Sequence, residues 1–176
     1  MIGVNNVRLW NEWAYLTLQV MQQPDKARSL LERALQVDPS FGWTYGQIGD
    51  IYVRQGEAVS VPTQRQVFFE NAVDQYEQSL AKLDDTTLKY NYSVALGGVL
   101  GQLNRLDEAI AAYRRALVVY PQSPNAWRVE ETISQIYKKL GDQSEALQAA
   151  ETALASAPQD QKTRLQAFID QLQIPP

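Results

Sequence analysis

Few residues of this 176-residue chain could carry out acid–base or nucleophilic chemistry. The chain contains no cysteine and no histidine, which excludes thiolate catalysis, Cys/His zinc sites and histidine acid–base catalysis. Among the remaining carboxylates, Asp84 and Asp85 are adjacent, and such a pair could act as acid and base or bind a metal. The simpler interpretation is that Asp84 ends one helix and Asp85 caps the next. We therefore expect a protein that is not an enzyme and has no metal site and no cofactor.

The segments around this pair of carboxylates repeat along the chain. Residues 90–123 read as two amphipathic helices joined by a tight turn, and Ala109, Tyr113 and Ala116 share one face of the second helix. The same spacing of small residue, larger residue, small residue and stop occurs in four copies: Ala27, Leu31, Ala34, Pro39; Ala72, Tyr76, Ser79, Asp84; Ala109, Tyr113, Ala116, Pro121; and Ala146, Ala150, Ala153, Pro158. Four such copies predict stacked helix pairs, because one pair cannot bury its own apolar face.

The first helix of each pair has a pattern of its own. An apolar residue, a small residue and an aromatic or apolar residue recur as Ile48, Gly49, Tyr52; Leu96, Gly97, Leu100; and Ile133, Ser134, Tyr137. The opening copy offers Ala14, Tyr15 and Leu18, and a bulky residue at Tyr15 would push its two helices apart. Together the two helices resemble the tetratricopeptide repeat, a helix pair of about 34 residues. The resemblance implies an all-α, right-handed α-solenoid of about four helix pairs plus a C-terminal capping helix.

The repeats divide a single domain, 1–176, into consecutive units. The predicted repeats and cap are about 8–41, 42–86 with an insertion at 57–67, 90–123, 124–158, and a capping helix at 159–173. Gly56 is predicted to end its helix in the left-handed conformation, and Thr63 to open the next helix with a capping box. Ser123, followed by proline, is predicted to cap the first helix of the fourth repeat.

Composition and charge narrow the possible partners. The net charge is −4 and hydrophobic residues make up 45% of the chain, so the charge is too small to argue for nucleic acid. There is no signal peptide and no apolar run long enough to cross a bilayer, so we expect no direct membrane insertion by this segment. The compartment stays open, because a cysteine-free chain suits either side of a membrane.

The resemblance to tetratricopeptide repeats also implies where a partner would bind. In that family the first helix of each pair lines a concave face, and stacked repeats present that face to protein or peptide ligands. The residues that fall on it here are Trp13, Trp43, Gln47, Asp50, Arg54, Asn91, Gln102, Arg128, Gln135 and Lys139. The lysine–asparagine clamp of chaperone-tail-binding members is absent, because its places hold Glu12, Leu16, Gly46, Asp50, Val94 and Gly98. The leading hypothesis is a non-catalytic binding scaffold that is part of a larger bacterial protein.

Two further hypotheses come from the amino-terminal residues. Trp10 follows the chain start with no capping helix before it, which predicts an exposed apolar patch and weak self-association, as in an assembly module. Some amino-terminal segments resemble repeats that follow the membrane part of some bacterial O-antigen ligase or polymerase family proteins: Leu9 to Ala14, the Val-Asp-Pro at 37–39, and Tyr45 with Ile48 to Tyr52. That resemblance implies an appendage of an envelope-glycan protein that recruits a partner or contacts glycan.

Overall fold

The computed structural model describes residues 6–173, and within them the chain forms nine α-helices and no strand. The helices are α1 (Val7–Gln19), α2 (Pro24–Val37), α3 (Gly42–Ala58), α4 (Pro62–Lys82), α5 (Thr86–Gln102), α6 (Leu106–Val119), α7 (Ala126–Leu140), α8 (Gln143–Ser156) and α9 (Gln159–Gln173). Consecutive helices pack as four pairs, α1 with α2 through α7 with α8, and α9 packs on α8. The prediction of an all-α solenoid of helix pairs with a final capping helix is confirmed.

Aromatic rings of the second helices fill the space over glycines of the first helices. The ring of Tyr113 on α6 lies over Gly97 on α5, where an added Cβ atom would come within 2.9 Å of three ring atoms. Tyr76 on α4 lies over Gly49 on α3 in the same way, at 2.6 Å. Since Cβ atoms essentially never approach other heavy atoms within 3.0 Å, these glycines set how closely each helix pair packs.

The first pair packs one residue earlier than the sequence suggests. Ala14, not Tyr15, is the small residue between α1 and α2, because Ala14 is fully buried in one cluster with Leu31. Tyr15 is 47% exposed, so its ring lies outside the contact between the two helices. The prediction that Tyr15 pushes this pair apart is therefore wrong.

One apolar cluster runs through the second, third and fourth pairs, and another joins the first pair to Ile48 and Ile51 of α3. Polar side chains also join the first pair to the second. The side-chain amide of Asn11 on α1 donates to Thr44 Oγ1 at 2.9 Å, and Asn11 Oδ1 accepts from Gln47 Nε2 at 3.0 Å. All three residues are buried. Such a network tolerates few alternative arrangements, because each buried polar group needs its partner.

The predicted insertion at 57–67 is mostly helical. Helix α3 continues to Ala58 and α4 begins at Pro62, which leaves 59–61 as the connecting loop. Gly56 does not end α3; it lies inside the helix because Phe69 packs over it, 2.6 Å from where a Cβ atom would be. The Thr63 capping box is also wrong, since Val61 is the N-cap residue and no side chain caps α4. Pro62 is in the first turn of α4, and because proline has no backbone N–H, it leaves no donor there that needs a cap.

Two other predicted caps have different outcomes. Asp85 caps α5 as predicted, because its carboxylate accepts a hydrogen bond from the backbone N–H of Leu88 at 2.8 Å. Ser123 does not cap α7 directly. Its hydroxyl accepts from the N–H of Asn125 at 3.3 Å within a turn, and the helix begins only at Ala126.

Ala109 on α6 gives a test of the packing within the third pair. It is fully buried in the central core, so Ala109→Leu is expected to overpack the α5–α6 contact and to destabilise the domain by about 1–3 kcal/mol. Ala111→Leu, at an exposed position on the same helix, is the matched control and should change stability by no more than about 0.5 kcal/mol. Urea denaturation of both variants would measure the difference, and equal midpoints would contradict this packing.

Candidate functional site

The candidate site consists of two cavities lined by the first helices, α1, α3, α5 and α7; we call this surface the first-helix face. One cavity, of about 590 Å³, lies between the amino-terminal ends of α1, α3 and α5. The other, of about 300 Å³, lies between α5 and α7. We call them the amino-terminal cavity and the carboxy-terminal cavity. Three of the predicted site residues line these cavities. Trp43 lines the amino-terminal cavity, and Asn91 and Arg128 line the carboxy-terminal cavity.

The amino-terminal cavity combines an aromatic wall with carboxylates. Trp43 is half-buried against the central core, its ring 6.4 Å from that of Phe41, and its indole opposes the rise that burial causes in the pKa of Tyr92. The charged lining residues are Arg8, Glu12, Asp38, Lys82, Asp84 and Asp85. Hydrogen bonds from the hydroxyl and backbone of Ser40 lower the pKa of Asp38, so that carboxyl is ionised at neutral pH. The excess of carboxylates suits a basic side chain more than an acidic one.

Gln47 is not available to a ligand, contrary to the prediction. It is 1% exposed, because it turns into the contact between α1 and α3 and bonds to Asn11. The periodicity of α3 places Gln47 on the face with Trp43, but the polar partner on α1 draws the side chain inward. The residue therefore aligns the first two repeats rather than contacting a partner.

Asp50 and Arg54 are both engaged within the fold. The hydroxyl of Tyr76 donates to Asp50 Oδ1 at 2.8 Å, and Arg54 donates to Gln19 Oε1, which ties α3 to α1. Burial raises the pKa of Asp50 to about 6, while the Tyr76 hydrogen bond and the charge of Arg54 oppose the rise. Burial likewise raises the pKa of Tyr76, so the phenol stays protonated and remains the donor.

The raised pKa of Asp50 predicts a pH-dependent stability. Asp50 loses its proton near pH 3.8 in the unfolded chain but near pH 6 in the folded one. Between these values the folded state binds more protons, so its stability falls as the pH rises and stays lower above pH 6. Asp50→Asn keeps an oxygen acceptor for Tyr76 and is expected to remove this fall. Urea midpoints at pH 4.5 and pH 7 would measure it, with the exposed Asp74→Asn as control; parallel profiles for parent and Asp50→Asn would contradict it.

The other predicted residues lie at the surface. Trp13 is 47% exposed and its ring stacks on that of Trp10 at 5.9 Å. Gln102 and Gln135 are exposed. Lys139 is exposed and donates to Asn104 Oδ1 at 2.7 Å, across the fourth and third pairs. The structure thus brings Trp43, Asn91 and Arg128 to cavities and leaves these four on open surface.

Most residues that line or support the cavities are absent from the set predicted by sequence, and three of them are important for the geometry of the site. Tyr90 lines the carboxy-terminal cavity, and so does Asn125, which precedes α7. Tyr92 supports Trp43 and packs against Gly46, where an added Cβ atom would lie 2.1 Å from the ring. Gly46 was the available signal, because a glycine in mid-helix often marks the close approach of a neighbour.

Residues 6–173 contain neither a cluster of metal ligands nor a candidate membrane span. No group of three or more carboxylates there is arranged to hold a metal ion. No helix in this part of the chain combines the length and the apolar character needed to cross a membrane.

Comparisons with known proteins agree with this geometry. The family model described as tetratricopeptide repeat matches residues 89–159. Among solved structures, a crystal structure of MamA is similar with a TM-score of 0.70 and 21% identity, over 91% of this chain and 82% of that one. TTC0263, a thermophilic tetratricopeptide-repeat protein of Thermus thermophilus, is similar with a TM-score of 0.66 and 17% identity, over 95% of this chain and 81% of that one. The pilF protein of Pseudomonas aeruginosa is similar with a TM-score of 0.69 and 18% identity, over 94% of this chain and 67% of that one. No curated protein sequence matches.

Residues 89–159 are therefore tetratricopeptide repeats, and the described chain as a whole has the tetratricopeptide-repeat fold. Members of this family commonly mediate protein–protein interactions. The match covers the third and fourth helix pairs, which contain the carboxy-terminal cavity.

Proposed function

We propose that this domain is a non-catalytic scaffold that binds a protein or peptide partner through the first-helix face. One observation carries the proposal: both cavities between successive first helices are lined by polar groups that the fold itself does not use. Asn91 and Arg128 make no side-chain hydrogen bond or ion pair with any residue in 6–173. A purely structural surface has no need to place such groups in a recess.

The mixture of side chains on this face suits a protein partner. The half-buried Trp43 offers a rigid apolar wall in one cavity, and Arg128 offers a cation in the other. Tryptophan and arginine are enriched among the residues that carry most of the binding energy of protein interfaces. Polar amides such as Asn91 beside them fix the orientation of a bound segment.

Site-specific photo-crosslinking tests the proposal even while the partner is unidentified. A photoreactive phenylalanine derivative replaces Asn91 on the first-helix face or Val118 on α6, which is 80% exposed on the outer surface. We expect a discrete cross-linked protein from position 91 and none from position 118. The reverse pattern, with the partner captured at position 118 alone, would contradict the proposal.

A second candidate, self-association, rests on an apolar stripe along α1. Leu9, Trp13, Leu16 and Val20 follow one another at helical steps of four, three and four, and all four are exposed. The charged Arg8 and Glu12 flank the stripe, so two copies packed antiparallel could pair opposite charges across a two-fold axis. We propose weak self-association through this stripe.

Trp13→Glu is the variant that tests self-association. Trp10 is a poorer choice, because it is half-buried against the core of the first pair and Arg33 lies 5.5 Å from its ring centroid. We expect the parent to show a rising sedimentation coefficient with concentration and Trp13→Glu to stay monomeric. Val118→Glu on α6 is the matched control and should behave like the parent. A parent that remains a strict monomer would rule the stripe out as a self-association surface.

The relationship to O-antigen ligase or polymerase family proteins stays a prediction. The residues on which it depends lie before residue 53, outside the matched repeats at 89–159. If it holds, the first-helix face would recruit a partner to an envelope-glycan protein.

A further inference from the structure

The carboxy-terminal cavity contains a buried hydroxyl group that the fold leaves without a partner. Tyr90 lines this cavity and is only 5% exposed, and its hydroxyl forms no hydrogen bond with any residue in 6–173. Its ring packs edge-on against Tyr120 at 5.9 Å. Buried polar groups are nearly always hydrogen-bonded, because leaving one unpaired is costly. The oxygen itself is closed to solvent, so a ligand in the cavity would supply the missing partner once a side chain of the cavity wall moves aside.

Three other polar groups of the cavity, the Arg128 guanidinium and the amides of Asn91 and Asn125, can all donate hydrogen bonds. Arg128 extends over the ring of Trp127, 5.0 Å from the centroid, and forms no ion pair with a carboxylate in the described chain. The side-chain amides of Asn91 and Asn125 form no hydrogen bond there either, and both are exposed. Val94 and Val129 supply apolar wall. None of the residues that line this cavity is acidic.

The two acidic residues of α7 interact with arginines other than Arg128. Arg164 of α9 binds the carboxylate of Glu131 with both terminal nitrogens, one of them at 2.9 Å. Burial raises the pKa of Glu130, opposed by the charge of Arg114. The positive charge of Arg128 is therefore not balanced from within its own helix.

We propose that this cavity takes the carboxylate of an aspartate or glutamate side chain within an extended peptide that lies along the first-helix face; the inference rests on the proposed function. A carboxylate accepts hydrogen bonds and donates none when ionised, so it matches a guanidinium, two amides and a phenol. Hydrogen bonds between charged groups are the stronger ones. The volume, about 300 Å³, is at the lower limit for ligand sites and suits one side chain rather than a whole cofactor.

Peptide pools with a single fixed position test this proposal. The pools are acetylated and amidated so that they carry no terminal charge, their flanking positions hold neutral residues, and the central position is Glu, Gln or Lys. We expect the parent to bind the Glu pool at least about tenfold more tightly than the Gln pool, and the Lys pool least, because the isosteric amide lacks the charge. Arg128→Gln should abolish the preference for Glu, whereas Arg115→Gln on the outer surface should leave it unchanged.

Tyr90→Phe separates a ligand-binding role from a structural one. It removes only the hydroxyl, so it should weaken binding of the Glu pool severalfold while the melting temperature of the free domain stays the same or rises. A hydroxyl with a structural role would lower the melting temperature on removal, and that result would overturn the proposal.

Other outcomes distinguish this inference from the proposed function. Equal affinity for the Glu and Gln pools, both weakened by Trp43→Ala, would overturn the carboxylate site and leave the scaffold standing. No measurable binding of any pool would overturn the carboxylate site, and the scaffold would then depend on the cross-linking result. Succinate that displaced the Glu pool at a comparable concentration would show a site for free carboxylates, which also contradicts the proposal.

Discussion

Replacing Tyr113 by alanine is expected to lower the free energy of unfolding by about 3–5 kcal/mol. The side chain is buried in the middle of the continuous core, and its ring fills the space over Gly97. Truncation therefore leaves a cavity between α5 and α6 that the two helices can close only by shifting against their neighbours. Tyr113→Phe keeps the ring and should cost no more than about 1 kcal/mol. Urea denaturation gives both values.

Gly97 provides an internal control for this prediction. Gly97→Ala should destabilise the parent, because the added Cβ atom would meet the Tyr113 ring at 2.9 Å. In the Tyr113→Ala background the same substitution has room and should stabilise the helix by up to about 1 kcal/mol, the difference in helix propensity. A Gly97→Ala effect of the same sign in both backgrounds, or a Tyr113→Ala variant with the parental midpoint, would show that the register of the third pair is wrong.

The repeat architecture could be predicted from the sequence because it depends on local spacing. The small residues Ala27, Ala72, Ala109 and Ala146 are each fully buried, as the four aligned copies require. The glycine and aromatic positions that face each other, such as Gly49 and Tyr76, come from different helices of one pair. Each pair is formed by residues close in sequence, so its pattern is complete within a short window.

The errors in the fold arose where a tertiary contact overrides a local signal. Gly56 has the residue type of a helix end, but Phe69 packs over it and the helix continues. The early start of α4, at Pro62, is close to the predicted start at Thr63, whereas α3 runs to Ala58, past its predicted end at Gly56. The continuation of α3 is not visible in a single-sequence pattern, because it depends on the ring of Phe69 in the next helix.

The candidate site was only partly predictable for the same reason. Periodicity places Gln47 and Asn91 alike on first helices, but Gln47 has a buried partner, Asn11, on the neighbouring helix and Asn91 has none in the described chain. Tyr90 reads as an ordinary aromatic at the start of a helix. That its hydroxyl has no partner is visible only in the three-dimensional structure.

Replacing Trp43 or Arg54 by alanine is expected to weaken a bound partner at least about tenfold, because buried Trp and Arg anchors typically contribute about 2 kcal/mol or more to binding. Trp43 forms the aromatic wall of the amino-terminal cavity, whereas Arg54 lies outside both cavities and links α3 to the carboxy-terminal end of α1. Both residues also contact the fold, so circular dichroism and melting temperature must show that each variant is folded before its affinity is compared.

Arg115→Ala on α6 is the matched control for these two variants. Arg115 is exposed and its ion pair with Glu77, at 3.2 Å, should contribute no more than about 1 kcal/mol to stability. The affinity of the partner should stay within about twofold of the parental value, because surface substitutions away from an interface have small effects. A partner that binds Trp43→Ala and Arg54→Ala normally but loses affinity for Arg115→Ala would use the outer surface.

The most direct test of the central claim is a titration of the ¹⁵N-labelled domain with the partner identified by cross-linking, followed by NMR of backbone and side-chain amides. The scaffold account predicts that the largest shifts fall on the first-helix face, including the side-chain amides of Asn91 and Gln135 and the backbone amide of Arg128. It predicts small shifts at Arg115 and Val118 on α6. Shifts confined to the second helices, α4, α6 and α8, with the first-helix face unchanged, would contradict it.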